Sequence, residues 1–360
     1  MNQPFSPKFQ HGLVFGKFMP LHEGHLHLLH FAASSCETLT VLVCSLPDEP
    51  IPGVQRYEWV KAALPEAHVI HHTDLVPQEP SEHSNFWMIW RETIKQHTNN
   101  ESIDALFASE EYGWRMAQEL GCEFVPVNRE RTLVSTSGTA IRGNIFRSWD
   151  VLSPQAKPYF VKRVRIVGPE STGKSTLTRQ LAMRFSTSYA DEYARRLLDE
   201  YTAHGLRAPG EVRYEDLSMI ARGQIATEEA MAERAQKVLF CDTDLWTTVY
   251  WSKFYHGRCS GWIADAAAKR SYALTLLLSP DAPWVPDSQR PMPELEKRQA
   301  FFRWWKARLE ANHEPYVVIE GSWDERWCAA VKAVEGLLEG GLTSGVYSTT
   351  LRQLCSQENS

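Results

Sequence analysis

The sequence predicts an α/β protein of two domains, each built on a parallel sheet, and three observations carry that reading. Short apolar runs alternate with amphipathic stretches along most of the chain, the pattern left by strands joined through crossover helices. The alternation halts once, near residues 148–159, where Ser153, Pro154 and Pro158 interrupt it. At 360 residues the chain also exceeds what one hydrophobic core usually serves.

Residues 13–16, 39–44, 67–71, 105–108 and 123–127 read as strands, each followed by a helix-compatible segment. After the break, residues 162–168, 237–242, 273–278 and 317–320 resume the strand pattern, with longer helical stretches between them. The expected domains are therefore 1–152 and 161–339, joined by a linker at 153–160. Residues 340–360 are polar and rich in Gly and Ser, so a disordered tail is expected. There is no internal repeat.

Apolar residues at 43% and charged residues at 23% fit an ordinary folded protein. A net charge of −6 argues against a broad nucleic-acid footprint, so any phosphate site must concentrate its cations locally. The seven cysteines (36, 44, 122, 241, 259, 328 and 355) form no CxxC pair and no Cys/His cluster at zinc spacing, which reads as free thiols in a reducing compartment. No apolar run approaches the ~18 residues of a membrane span. The N-terminus lacks the regions of a signal peptide, and the cytoplasm is the expected location.

The first strand runs into Gly16-Lys-Phe-Met-Pro-Leu-His-Glu-Gly-His25, which enters a helix with an apolar stripe at Leu26, Leu29 and Ala33. Gly16 lets backbone approach a phosphate, and a helix N-terminus offers unpaired N–H groups. His22 and His25, three residues apart, can face one ligand, and Lys17 adds a mobile charge. Such a set favours a group that gathers negative charge during reaction. Either histidine alone would pass for a surface residue; the full spacing, with Phe18 included, resembles the HxGH nucleotidyltransferase superfamily, whose domain is Rossmann-like. Its second signature is a hydroxyl-rich turn with an arginine. Ser137-Gly-Thr-Ala-Ile-Arg142, with Thr139 inside it, fits that turn and reads otherwise as a plain helix cap. The resemblance implies attack of an acceptor phosphate on the α-phosphorus of ATP, with charge stabilised by His22, His25, Lys17 and Arg142 and phosphates bridged by Mg²⁺. Phe107-Ala-Ser-Glu110 resembles the segment that the family places near the nucleotide, which nominates Ser109 and Glu110.

The second domain opens with a strand that runs into Gly168-Pro-Glu-Ser-Thr-Gly-Lys-Ser175 and then a helix from Thr176. This is a Walker A loop in its required strand–loop–helix context. Gly168, Glu170, Ser171, Thr172, Gly173 and Thr176 form or flank a phosphate cradle. Lys174 reaches the β/γ oxygens, and Ser175 gives a hydroxyl to Mg²⁺. The apolar run at 238–242 ends in Asp242 and Asp244, as a Mg²⁺-organising strand does. GTPase base-recognition signals are absent. Glu192, Tyr193 and Arg195 place a carboxylate, a ring and a cation together, which suits a base and platform for a sugar hydroxyl or, equally, an exposed ion pair. Residues 281–290, with Trp284, Asp287 and Arg290, read as a closing lid or as a surface loop.

Joined, the two halves resemble the NadR family, which couples nicotinamide mononucleotide adenylyltransferase with ribosylnicotinamide kinase. The resemblance runs from about residue 12 to 338 and departs at residue 288, Ser where Gly is expected. It implies two ATP-dependent reactions in series: riboside to mononucleotide, then mononucleotide to NAD. It also nominates Arg56, Trp87 and Trp90 on the pyridine-nucleotide side, the tryptophans having core packing as the competing reading. A strand starting by residue 12 leaves no room for the DNA-binding helix-turn-helix of some members, so no DNA partner is expected. A homo-oligomer and coupling to a riboside transporter are left open. Two rivals stand beside this reading: adenylyl transfer to another phosphate acceptor, and a sensor that binds without turnover. The choice of kinase base among Asp191, Glu192, Asp242 and Asp244 is open at this point.

Overall fold

The computed structural model describes residues 7–128, 137–285 and 293–340. The chain divides after Lys157 into two compact α/β units. In the first unit β1 (Phe9–Gly16) leads to α1 (Glu23–Ser35), β2 (Cys36–Cys44), α2 (Gly53–Ala63), β3 (His68–His72) and α3 (Phe86–His97). Then follow β4 (Ala105–Ala108), α4 (Tyr112–Leu120), β5 (Glu123–Pro126), α5 (Gly138–Gly143) and a 3-10 turn at Trp149–Val151. All five strands are parallel, in the order β3-β2-β1-β4-β5. Chain order reverses between β1 and β4, which is where an open parallel sheet leaves a crevice at the carboxyl ends of its strands.

A short helix, α6 (Lys157–Phe160), spans the division, and the second unit begins with β6 (Lys162–Val167) and α7 (Lys174–Arg184). It continues with β7 (Tyr189–Ala190), α8 (Tyr193–Ala203), α9 (Asp216–Ala232), β8 (Val238–Asp242), α10 (Leu245–His256), α11 (Gly261–Lys269) and β9 (Leu274–Leu278). The last described elements are α12 (Leu295–Ala311), β10 (Tyr316–Ile319) and α13 (Trp323–Leu338). This sheet is again parallel, ordered β10-β9-β6-β8-β7, so the strand that carries the Walker loop is central. Helices cover both faces, which is why β8 and β9 are buried at every position and apolar except for Asp242 and Thr275. Leu276 packs toward Leu181 and Val334 on one face, while its neighbour Leu277 packs toward Phe301 and Trp305 on the other. Each such side chain contributes roughly 1.5–3 kcal/mol by leaving water.

Every strand expected from the sequence is present; β4 keeps the expected bounds, and the others shift at one or both ends. β1 starts at Phe9 and β2 at Cys36, paired from Phe9↔Cys36 onward, where the apolar pattern has already faded. β7 is only two residues long and consists of Tyr189 and Ala190 themselves. Residues 153–157, expected as linker, pack into the first unit: Ser153 N donates to the Leu21 carbonyl at 3.2 Å, and Ser153 and Ala156 are fully buried. Residues 341–360, expected as a disordered tail, lie outside the described residues. No described helix is long and apolar enough to cross a membrane.

Candidate active sites

In the first unit, β1 and β4 end side by side, and a cleft opens over their carboxyl ends. Gly16, Lys17, Phe18, His22, His25, Ser109, Glu110 and Ser137 all line it, joined by Phe15, Leu28, Tyr112 and Asn128. The two motif histidines stack at 3.7 Å, with ring planes 25° apart. His22 also caps α1: its Nδ1 accepts from Gly24 N at 3.1 Å, which leaves the proton of a neutral ring on Nε2. Burial and the neighbouring His22 hold the His25 imidazole well below its ordinary pKa, against an opposing hydrogen bond at Pro20. Near neutral pH His25 is therefore uncharged and works as a hydrogen-bonding group. Phe18, buried in the same turn, is held at a φ of 49°, a strained value for a non-glycine residue.

Two polar clamps build the turn. Lys17 Nζ lies 2.8 Å from Glu49, whose other carboxylate oxygen pairs with Arg56. Burial by itself would raise the Glu49 carboxyl; hydrogen bonds from Lys17 and Leu46 N, with the Arg56 charge, outweigh it and hold it below its ordinary value. Arg56 is fully buried and gives its donors to the carbonyls of Ile51, Lys17 and Cys44 as well as to Glu49. It was expected at the substrate; it is instead the peg that holds the β1 and β2 loops together. Arg142 donates from Nη1 to the Met19 carbonyl at 2.5 Å and from Nη2 to Thr139 Oγ1 at 3.1 Å, so it ties the second signature to the first without lining the cleft. Ser137 caps α5 through Ala140 N.

The tryptophans divide. Trp90 is core: it is buried, donates Nε1 to the Pro77 carbonyl, and stacks on Phe15 at 5.6 Å. Trp87 is half-buried against Phe86 and is not a lining residue. Neither ring lines the cleft, although Trp90 backs Phe15, which does.

In the second unit the Walker loop leaves β6 and enters α7. Gly173 takes a φ of 86°, and a Cβ there would sit 2.6 Å from the Trp323 ring; a Cβ on Gly168 would sit 2.7 Å from the Leu278 carbonyl. Trp323 is fixed by a capping box at the start of α13, with Ser322 and Glu325 exchanging hydrogen bonds. Lys174 Nζ rests on the Pro169 carbonyl at 3.1 Å, and Thr172 Oγ1 bonds the same oxygen. Ser171 Oγ donates to the Val285 carbonyl and accepts from Val285 N, which pins the base of the expected lid to the loop.

The cleft beside this loop gathers Gly168, Glu170, Ser171, Thr172, Gly173, Lys174, Ser175, Thr176, Glu192 and Arg195. Its far wall is Trp251, Tyr255 and Phe301, a column of rings in which Trp251 is nearly parallel to Tyr255 (5.3 Å, 18°) and to Phe301 (5.4 Å, 15°). The sequence hid this wall. Trp251 and Tyr255 are one turn apart on α10, but that helix also carries Trp246, Tyr250 and Phe254, and Phe301 arrives from a distant helix.

The four carboxylates separate cleanly. Asp244 is buried, caps α10 through Thr247 N, and pairs with Arg165, so it is spent on structure and not on substrate. Asp191 pairs with exposed Arg179. Asp242 is buried, bonds Ser175, and has an Oδ1 without a partner; burial and the nearby Glu192 push its carboxyl up to about 6. Glu192 holds the N-cap position before α8 and lines the cleft. Tyr193, expected at the substrate, turns away: its ring packs so closely on α9 that a Cβ at Gly223 would strike it, and its N–H bonds Gln224. Trp284 does not line the cleft, and its Nε1 is buried without a partner. Asp287, Ser288 and Arg290 lie outside the described residues.

Comparison with known proteins agrees with this division. Residues 13–144 match the cytidylyltransferase-like family and residues 163–326 the AAA domain family. The chain is 32% identical over 345 residues to the trifunctional NAD biosynthesis/regulator protein NadR of Escherichia coli (strain K12), spanning 91% of this chain and 83% of that one. Crystal structures of a NadR protein in complex with NR, and with NAD and AMP-PNP, each superpose with a TM-score of 0.74 at 22% identity. The first covers 94% of this chain and 98% of its own, the second 95% and 100%. At that identity the likeness is one of fold.

Proposed function

The chain belongs to the NadR family of NAD biosynthesis/regulator proteins, and on that premise we propose that it makes NAD from nicotinamide riboside in two ATP-dependent steps, one in each unit. The observation that carries this reading is the pair of phosphate cradles, each at the carboxyl end of a central strand of its own parallel sheet, β1 in one and β6 in the other. The rivals are weaker on the same grounds. A different acceptor would need another explanation for the aromatic wall, and a degenerate sensor would not keep Lys174, His22 and His25 in place.

In the second unit the riboside lies between the P-loop and the wall of Trp251, Tyr255 and Phe301, where a flat pyridinium gains stacking and cation–π attraction. Arg195 meets the ribose side. Glu192 is the base, because it alone among the four carboxylates combines a place in the cleft with freedom from a structural ion pair. It accepts the 5′-hydroxyl proton as that oxygen attacks the γ-phosphorus. Lys174 leaves the Pro169 carbonyl to meet the phosphates. Ser175 and the unpartnered Asp242 Oδ1 fit a Mg²⁺ ion, which when bound neutralises phosphate charge.

The mononucleotide then enters the first cleft as nucleophile, its phosphate oxygen attacking the α-phosphorus of a second ATP as pyrophosphate leaves. His22 Nε2–H and the His25 ring offer hydrogen bonds to the oxygens that gather charge. Lys17, released from Glu49, adds the cation, and the first turn of α1 adds backbone N–H groups. Arg142 and Arg56 hold the two loops in register. Incubating the purified protein with ATP, Mg²⁺ and nicotinamide riboside should yield both the mononucleotide and NAD on chromatography. Absence of both products would sink the proposal.

A further inference from the structure

We propose that the first unit carries a binding site for a zinc-type divalent cation, formed by His72, His97 and Asp74. His72 is the last residue of β3, Asp74 lies two residues beyond it, and His97 is the last residue of α3. His72 Nδ1 is 3.0 Å from His97 Nε2 and 3.9 Å from Asp74 Oδ2, and the three ligand atoms all lie within 4.8 Å of one another. Four donors at zinc distances of 2.0–2.1 Å in a tetrahedron stand about 3.3 Å apart, so small movements of the Asp74 side chain close the set.

The surroundings fit a cation. The His72 ring is buried and fixed edge-on by Trp90 at 5.9 Å, which preorganises one ligand. His97 sits at the carboxyl end of α3, where the helix dipole favours positive charge. Asp74 has 67% of its side chain exposed, which gives an ion its way in and leaves a fourth position to water. His72 Nε2 is buried without a partner whichever tautomer is present, so binding creates no new orphan. Two imidazoles and one carboxylate select zinc, cobalt or nickel over magnesium, which prefers an all-oxygen octahedron. His71 is not part of the set, and its Nε2 is held by Ser45 Oγ at 2.8 Å.

None of the three residues lines either cleft. An ion would clip β3 to α3, and Trp90 of α3 stacks on Phe15, a residue of the adenylyl-transfer cleft. The site is thus a stabilising clip two ring contacts from the chemistry. Its test uses the full chain, stripped with a chelator and free of nucleotide. Zinc is titrated in excess Mg²⁺ against a chromophoric chelator, and cobalt is followed by the visible absorption of a tetrahedral centre. We expect one site in the parent protein, with a raised melting temperature when it fills. Asp74→Asn and His97→Gln should each weaken zinc by more than about 100-fold, the upper range for losing a mere outer-shell partner. The Asp74 substitution is exposed, so it leaves folding intact. Parent protein that does not bind zinc, or variants that bind as tightly as the parent, would overturn the site.

Discussion

In the first unit the candidate phosphate cradle is made largely of side chains: a stacked histidine pair and Lys17, which Glu49 holds, with Arg142 tying the turn at Met19 from outside the cleft. In the second it is made largely of backbone, a loop whose glycines let the chain turn tightly around an anion, with Lys174 the main side chain. The difference teaches where specificity resides. Side chains at fixed spacing declare the bond to be broken, because only some groups stabilise charge growing at an α-phosphorus. A backbone cradle declares only a phosphate, and the reaction depends on what stands opposite: Glu192, Asp242 and the aromatic wall.

The sharpest way to break this comparison is to remove the P-loop cation of the second site. Lys174→Ala should lower riboside phosphorylation by on the order of 10³-fold or more while adenylylation of supplied mononucleotide continues; charge-stabilising donors of this kind contribute at least 10²–10³. Loss of both activities in a folded protein would contradict separate sites. His25→Ala should do the converse, lowering adenylylation about 10²–10³-fold, measured with mononucleotide as substrate.

Trp251→Ala tests the wall opposite the cradle. Removing one stacking partner of a heterocycle costs about 1–3 kcal/mol, so KM for the riboside should rise roughly 10–100-fold with adenylylation unchanged. An unaltered KM would move the pyridine elsewhere.

Acidification separates the sites more gently. Asp242 is raised to about 6, so as pH falls through that value its carboxyl becomes neutral and its hold on a cation weakens. His25 is lowered, so it stays neutral over the same range. The apparent Mg²⁺ affinity of the kinase should therefore decline below pH about 6 before adenylylation loses anything through His25. Parallel profiles for the two reactions would remove Asp242 from the cation site.

How much of this was legible in the sequence follows from the same contrast. Motifs that work locally could be read: His22 and His25 at one helix entrance, the Walker loop between strand and helix, strands visible as apolar runs. Groups whose role depends on distant partners could not. Arg56 resembles any helix arginine until Ile51, Cys44 and Glu49 are seen to take its donors. Asp244 looks like a cation ligand until Arg165 arrives from β6. Trp90 is a plausible ring platform until Phe15 and the Pro77 carbonyl claim it. Conversely the wall of Trp251, Tyr255 and Phe301 joins two helices far apart in the chain and leaves no local signature. His72, Asp74 and His97 escaped notice for the same reason, since their spacing follows no metal motif.

Two distinct phosphorus transfers along one chain are read together by labelled ATP. NAD made from nicotinamide riboside should carry one phosphorus from the γ position of ATP and one from the α position, in equal amounts. The Lys174→Ala variant, given mononucleotide, should make NAD labelled from the α position alone. NAD from riboside that lacks the γ label, or carries γ label in that variant, would contradict the assignment of one transfer to each unit.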